Sequence, residues 1–233
     1  MPAGTQIMNQ SRPVNSSQKV VHPRLDGLLS KHTASTWRQP LHAPSVRAFR
    51  ATQELLDGRL QRIVLDSGCG TGESTRLIAA ALPGSIVLGV DKSAARLSGT
   101  GAEAGPRRQG NIVWVRAELS TFWRLALQAG WCLERHYLLY PNPWPKPGQL
   151  QRRWHAHPVF PDMLRLGGRL EMRCNWKVYA LEFAHAVSGL LRVNVQPSNP
   201  PLQPVMSPFE RKYRDSGHRI YSVVVSCDSK AVK

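Results

Sequence analysis

The sequence predicts an α/β fold with a mostly parallel central sheet, helices on both faces and an antiparallel strand at the C-terminus. Short apolar runs alternate with helical segments from about residue 62 onward. This alternation is typical of parallel strands joined by helical crossovers. A glycine-rich turn follows the first run, and a proline-rich stretch sets the last strand, "RIYSVVVS", apart from the others.

Two regions are expected along the chain. Residues 1–45 are predicted to form a basic N-terminal extension, partly disordered, with a short helix at "RLDGLLSK". Residues 46–233 are predicted to form one domain. It opens with the helix "PSVRAFRATQELLDG", which should stop at Gly58 because glycine favours a helix C-terminus.

The remaining elements follow in a regular order, without an internal repeat. The predicted strands are "RIVLD", "SIVLGVD", "NIVWVRAE", "RHYLLYP" and "GGRLEMRCN". The predicted helices between and after them are "STRLIAAAL", "KSAARLSG", "STFWRLALQAG" and "WKVYALEFAHAVSGLL", and a short basic helix precedes the last strand.

Charge and composition narrow the classes of function. The 233 residues carry a net charge of +16, which predicts a polyanionic partner such as RNA. No apolar run approaches the length of a membrane span, so we expect no membrane association. The four cysteines form no C-x-x-C pair, which argues against a metal site and favours reduced thiols in a cytoplasmic protein. We expect a monomer.

The motif after the first strand, "VLDSGCGTGES", indicates a cofactor. Asp66 closes the strand, and Gly68, Gly70 and Gly72 follow it before a helix. Glycines allow a tight turn and a close approach of the main chain to a ligand. The D-x-G-x-G-x-G form is typical of enzymes that use S-adenosylmethionine (SAM), whose cationic groups suit an acidic rim. A purely structural glycine turn is the alternative.

Two further acids are candidate SAM ligands. Asp91 ends the second strand, where a carboxylate can accept both ribose hydroxyls, and Glu118 follows the third strand on the adenine side. Each acid alone is more often a solvated helix cap. Acids at the carboxyl ends of three successive strands, however, meet at the edge where open α/β sheets bind ligands.

Four segments carry a resemblance to the bacterial tRNA (guanine-N7)-methyltransferases: "LDSGCGTGES", "YPNPWPK" with "QRRW", "RCNW", and "SPFERKYRDSGH". The resemblance covers about residues 60–226. It implies a Rossmann-like SAM-dependent methyltransferase domain and methyl transfer to N7 of a guanine in tRNA or another structured RNA.

The resemblance also implies roles for single residues. Asn142 matches the catalytic position where SAM and the base meet, and Asn175 matches a residue that binds the target guanine. Lys146, Arg152 and Arg153 are expected to contact RNA. The segment expected to close over the substrate contains Ser207, Pro208, Phe209 and Glu210.

The chain departs from the family pattern at three of these positions. Asn142 and Asn175 stand where the family has aspartates, and Pro208 stands where it has a lysine. An amide oxygen matches the two N–H donors of guanine less well than a carboxylate does. Two alternatives therefore stay open: a changed acceptor, such as an exocyclic amine or a small molecule, and a non-catalytic RNA-binding protein.

The proline-rich stretch "YPNPWPK" is expected to be a rigid loop after the fourth strand. Pro141, Pro143 and Pro145 fix φ and would aim Asn142 at the reacting centre. Trp144 is expected to be a buried plug beneath the loop rather than a stacking platform for a base.

Overall fold

The computed structural model describes residues 11–58 and 62–228. Its sheet has seven strands: β1 (Ile63–Ser67), β2 (Ile86–Asp91), β3 (Arg107–Gln109), β4 (Ile112–Arg116), β5 (Leu133–Leu139), β6 (Gly168–Cys174) and β7 (Tyr221–Cys227). Their order is β3-β4-β2-β1-β5-β6-β7. The five inner strands are parallel, and the two edge strands, β3 and β7, are antiparallel to their neighbours. The predicted fold class is confirmed.

Helices cover both faces of this sheet. They are α1 (Leu25–Ala34), α2 (Ala43–Leu56), α3 (Glu73–Ala81), α4 (Ala94–Leu97), α5 (Leu119–Gln128), α6 (Phe160–Arg165), α7 (Lys177–Leu191) and α8 (Pro208–Asp215). α2 ends where predicted, because Asp57 and Gly58 both take the left-handed conformation that closes a helix. Among the described residues, no helix is long and apolar enough to cross a membrane.

The carboxyl edge of the sheet is built around a buried indole ring. Asp66, Gly89 and Trp114 are neighbours across β1, β2 and β4. A Cβ atom added at Gly89 would lie 2.8 Å from the Trp114 ring, and one added at Gly72 would lie 2.4 Å from it. Two glycines therefore leave the space that Trp114 fills, and the ring supports the turn after β1.

The N-terminal residues that the structure describes pack against the domain. Leu25 and Leu29 of α1 are buried in the main hydrophobic core. Gln18, which precedes α1, is also buried and bonded to Glu182 of α7. The structure describes residues 11–45 of the extension that was predicted to be partly disordered, and residues 1–10 lie outside the described part. The domain boundary at residue 45 stays a prediction.

Several short elements were not predicted from the sequence, and the length of one helix was overestimated. The hairpin strand β3, the helix α6 and three 3₁₀ helices were not predicted. The segment "KSAARLSG" forms only the four-residue α4 and a 3₁₀ turn at 98–100. Gly99 and Gly101 lie within and after this turn, and Gly101 has φ +72°, so the α-helix cannot extend.

Candidate active site

The glycine turn after β1 leaves space for a ligand. Gly68, Gly70 and Gly72 all have positive φ, between 58° and 80°. The backbone N–H groups of Gly68 and Cys69 donate to the Val90 carbonyl, which ties the turn to β2. A Cβ added at Gly70 would meet nothing within 4 Å. The turn is therefore held from below by β2 and is open above Gly70.

Asp66 lies buried beneath this turn with one oxygen free. Its Oδ2 accepts hydrogen bonds from the hydroxyls of Ser74 and Thr75, both at 2.6 Å. Its Oδ1 has no partner among the described residues. Burial raises the pKa of Asp66 to about 6, against the opposing effect of the two hydroxyls. A cationic ligand group would stabilise the ionised form of this carboxyl.

Asp91 connects the end of β2 to the glycine turn. Its Oδ2 accepts from the Gly70 N–H at 3.0 Å, and its Oδ1 accepts from the Ser93 N–H at 2.8 Å. A carboxylate has about four acceptor sites, so two remain for a ligand. The Asp91 side chain thus shapes the turn and keeps free acceptor sites for the ribose hydroxyls that it is predicted to bind.

Glu118 acts as the N-cap of α5. Its carboxylate accepts from the backbone N–H groups of Ser120 and Thr121 and from the Ser120 hydroxyl. Burial favours a higher pKa, but these hydrogen bonds outweigh it and lower the pKa of Glu118. The structure places it after β4, as predicted, with both oxygens bonded to α5. A contact with adenine stays a prediction.

The loop at 140–146 follows β5 at the carboxyl edge of the sheet and has an unusual backbone. Tyr140 and Trp144, each before a proline, have φ of 54° and 45°. A residue before proline normally adopts an extended conformation, so positive φ at both positions is unusual and strained. Asn142 lies between them, exposed, and its Oδ1 accepts from the Trp144 N–H at 3.3 Å. This turn orients the amide of the predicted catalytic residue.

Trp144 is half-buried, so the prediction of a buried plug is wrong. The guanidinium of Arg152 lies 4.8 Å from the centre of its ring. Both Arg152 and Lys146 are exposed beside the loop. Their exposure leaves both cations accessible to a ligand, and their contact with RNA stays a prediction. The cation–π contact with Arg152 holds the Trp144 ring beside these cations.

Arg153, by contrast, is fully buried, which contradicts its predicted contact with RNA phosphate. Its guanidinium donates to the Glu182 carboxylate at 2.6 Å and to the side-chain oxygen of Gln18 at 3.0 Å. It also donates to the backbone carbonyls of Trp144 and Lys146. Since its donors are directed inside the protein, Arg153 supports the loop from below instead of binding RNA.

The segment predicted to close over the substrate has two buried residues, Ser207 and Glu210, on either side of two exposed ones. Ser207 is the N-cap of α8 and accepts from the Glu210 N–H, and both residues are buried. The carboxylate of Glu210 pairs with Arg173 at 3.1 Å and with Arg214 at 2.7 Å. Glu210 is therefore bonded within the protein interior.

Pro208 and Phe209 face outward from the same segment, with Phe209 44% exposed. Two residues after Phe209, Arg211 pairs at 2.5 Å with Glu73, the first residue of α3. This contact brings α8 against the helix that follows the glycine turn. The structure thus joins two motifs that lie more than a hundred residues apart in the chain.

Asn175 directly follows β6, beside a cavity of about 470 Å³. Its Nδ2 lies 3.1 Å from Nδ1 of His218, and Lys177 and Arg219 also line the cavity. The volume falls within the range of small-molecule sites. Asn175 therefore borders a cavity of suitable size for its predicted role with the base, and that role stays a prediction.

Sequence reasoning missed the residues that support the site from within. Glu182, Arg173 and Gln18 were not singled out, because none belongs to a recognisable motif. His218 lies in the quoted segment "SPFERKYRDSGH", and its two ring nitrogens, each able to form a hydrogen bond, are the signal that could have identified it.

Solved structures with a similar fold are methyltransferases. The chain aligns with the 16S rRNA methyltransferase KamB at a TM-score of 0.52 and 16% identity, covering 83% of this chain and 97% of that one. It aligns with an antibiotic-related methyltransferase at a TM-score of 0.51 and 16% identity, covering 84% and 98%. At these identities the similarity supports the fold alone.

Curated relatives are similar in sequence over most of the chain. The tRNA (guanine-N(7)-)-methyltransferase of Saccharophagus degradans is 28% identical over 181 residues, covering 73% of this chain and 78% of the relative. The enzyme of the same name from Cupriavidus pinatubonensis is 24% identical over 242 residues, covering 96% and 94%.

A family model described as "Putative methyltransferase" matches residues 60–223, which is well over half of the chain. The matched region begins just before β1 and ends within β7, so it includes the glycine turn, the loop at 140–146 and α8. The chain therefore belongs to this methyltransferase family.

Proposed function

We propose that the protein is a SAM-dependent methyltransferase that methylates N7 of a guanine in tRNA. The observation that carries the proposal is the loop at 140–146, which leaves β5 at the carboxyl edge of the sheet and exposes Asn142 and Lys146. Ligands of open α/β sheets bind at this edge. The similarity to tRNA (guanine-N(7)-)-methyltransferases supports tRNA and guanine N7, and action on tRNA implies a cytoplasmic location.

The residues around the glycine turn suit SAM. Open space above Gly70, the unpaired Oδ1 of Asp66 and the remaining acceptor sites of Asp91 favour a ligand with cationic and hydroxyl groups. Gly68 and Gly72 complete the turn, and Glu118 is the third acid at this edge. When bound, SAM supplies an electrophilic methyl group carried on a cationic sulfur.

Methylation of guanine N7 requires little acid–base chemistry from the protein. N7 of guanine has an in-plane lone pair and no proton to lose, so no general base is required. Alignment of the reacting atoms supplies much of the rate acceleration, and the rigid loop around Asn142 suits that task. The methylated base is cationic, and the carbonyl dipole of Asn142 can stabilise the charge that develops.

A second candidate function is methylation of an exocyclic amine. The amide of Asn142 favours it, because an amide oxygen can accept from an amino group while its NH₂ serves as a donor. The exposed Lys146 and Arg152 suit a polyanionic substrate under either candidate function. The two candidates therefore differ in the atom that receives the methyl group.

Radiolabelled methyl transfer from SAM to bulk tRNA, followed by nucleoside analysis, tests the proposal. We expect 7-methylguanosine as the labelled product. Asp91→Ala, purified in parallel, controls for a contaminating host enzyme and should lose the activity. Label in a different nucleoside would favour the exocyclic amine, and tight SAM binding without methylation of any RNA would overturn the proposal.

A further inference from the structure

The N-terminal segment, residues 11–18, crosses the carboxyl edge of the sheet and joins two parts of the site. Its first residue, Ser11, receives a hydrogen bond from His218 and donates its N–H to the Ser216 hydroxyl. Farther along, the Ser16 hydroxyl donates to the Pro145 carbonyl at 2.5 Å. The segment therefore bridges the end of α8 and the loop at 140–146.

The contact with Ser11 determines which nitrogen of His218 carries the proton. Nε2 of His218 lies 2.8 Å from the Ser11 carbonyl oxygen. A carbonyl oxygen only accepts, so Nε2 must be the donor. In the neutral ring, Nδ1 is then an acceptor, and the ring is held in place by Tyr213, which stacks on it with an interplanar angle of 11°.

The position of the proton on His218 in turn determines the orientation of the Asn175 amide. Nδ2 of Asn175 lies 3.1 Å from Nδ1 of His218, and an amide nitrogen can only donate to that acceptor. The amide oxygen therefore points away from the histidine. Within the described residues it has no hydrogen-bond partner, and Asn175 borders the cavity that also has Lys177 and Arg219 in its lining.

We propose that His218 is a positioning residue that presents the Asn175 oxygen as a fixed acceptor to the base. The inference rests on the proposed function and adds the source of base selectivity. Guanine offers two adjacent donors at its pairing edge, N1–H and an amino group, whereas adenine offers an amino group beside an acceptor at N1. A preset oxygen opposite N1 favours guanine, and the cations of Lys177 and Arg219 suit the phosphate of the same nucleotide.

The test compares binding of guanosine 5′-monophosphate and adenosine 5′-monophosphate by NMR, which needs no turnover. His218→Phe keeps a ring to stack on Tyr213 but removes both hydrogen bonds. His218→Gln keeps one donor and one acceptor. His185→Phe is the matched control, because His185 is an exposed histidine that pairs with Asp26 on the surface. Thermal unfolding verifies that each variant is folded.

We expect the wild type to prefer the guanine nucleotide about fivefold, the effect of roughly one neutral hydrogen bond. His218→Phe should reduce that preference to near one, while His218→Gln and His185→Phe should retain it. In the wild type, ¹⁵N chemical shifts should identify the Nε2–H form of His218. The inference is wrong if His218→Phe keeps the preference for the guanine nucleotide. It is also wrong if folded His218→Gln loses that preference to the same extent as His218→Phe.

Failure of this inference is distinct from failure of the proposed function. A wild type that methylates tRNA but binds the two nucleotides equally would contradict the role of His218 alone. A wild type that prefers the guanine nucleotide yet methylates no RNA would contradict the proposed function and leave the His218 contact supported.

Discussion

Arg153 donates to Glu182 at 2.6 Å, and both side chains are fully buried. From the same guanidinium, other donors reach the carbonyls of Trp144 and Lys146 in the loop that carries Asn142. The pair therefore connects α7 to the candidate active site. Because the loop has two residues in the left-handed conformation, it depends on such support to keep its shape.

Replacing Glu182 should destabilise the fold in a pH-dependent way. Burial would raise the pKa of Glu182, but hydrogen bonds and charge from His155 and Arg153 outweigh burial and lower it to about 2. A lowered pKa contributes stability above the unfolded value of 4.5, and this contribution is lost as pH falls toward 2. Glu182→Gln should cost about 3 kcal/mol at pH 7, since one pKa unit is about 1.4 kcal/mol.

Urea unfolding of Glu182→Gln and wild type at pH 7 and pH 3 measures this effect. The difference between the two proteins should shrink at the lower pH. Glu134→Gln, a surface glutamate paired with Arg62, is the matched control and should cost less than about 1 kcal/mol. Equal losses of unfolding free energy in the two variants would show that the buried Glu182–Arg153 pair contributes no more stability than a surface pair.

Asp66→Asn should stabilise the protein at high pH and weaken SAM binding. The folded pKa of about 6 lies above the ordinary aspartate pKa of 3.8, so the stabilising contribution exists below pH 3.8 and is lost as pH rises through 6. Removing the ionised carboxyl should therefore raise stability at pH 8 by about 2–3 kcal/mol.

Unfolding at pH 8 and pH 4, with calorimetry of SAM binding, checks this prediction. The stability gain should nearly vanish at pH 4, where the wild-type carboxyl is protonated. Asp57→Asn, at the exposed C-terminus of α2, serves as the control. A variant that is less stable at pH 8 and binds SAM normally would contradict it.

Asp91→Ala should weaken SAM binding by about 1.5–3 kcal/mol, the contribution of hydrogen bonds to a charged group. The change removes an acceptor for ligand hydroxyls and also releases the Gly70 N–H from the turn. Calorimetry measures the affinity, and Glu54→Ala on the exposed surface of α2 is the control. Unchanged affinity in a folded Asp91→Ala protein would remove this residue from the cofactor site.

Binding to tRNA should weaken steeply with salt, because exposed cations release counterions from phosphate. Replacing Lys146 and Arg152 together by Ala should reduce the slope of log affinity against log salt by about 1 to 2. The matched control replaces Arg47 and Arg50, two exposed arginines of α2. An identical slope change in both double variants would indicate that only net charge matters.

Asn142→Asp should preserve or raise methylation at guanine N7. An aspartate oxygen can still accept from the Trp144 N–H, so the loop should keep its turn. Its carboxylate would also stabilise the cationic product better than an amide dipole. Nucleoside analysis after methyl transfer measures this. If the variant instead loses activity on the natural substrate, the amide donor is required and the exocyclic amine becomes the better acceptor.

Local patterns in the sequence were sufficient for the fold and for part of the site. The alternation of apolar runs and helices predicted the parallel sheet, and the glycine turn after β1 predicted the cofactor edge. The prolines around Asn142 predicted a rigid loop. These features depend on neighbouring residues, whose backbone preferences act within a few positions of the chain.

Two adjacent arginines illustrate what the tertiary structure decided. In the sequence Arg152 and Arg153 are equivalent, yet one lies exposed over Trp144 and the other is buried on Glu182. The side chains that accept hydrogen bonds from Arg153 are Glu182, 29 positions away, and Gln18, 135 positions away. The sequence by itself determined six of the seven strands and the glycine turn, because those choices are local. The burial of Arg153 and the contacts of His218 follow only from packing between distant segments, where the cost of burying a charge is offset by partners that no local pattern identifies.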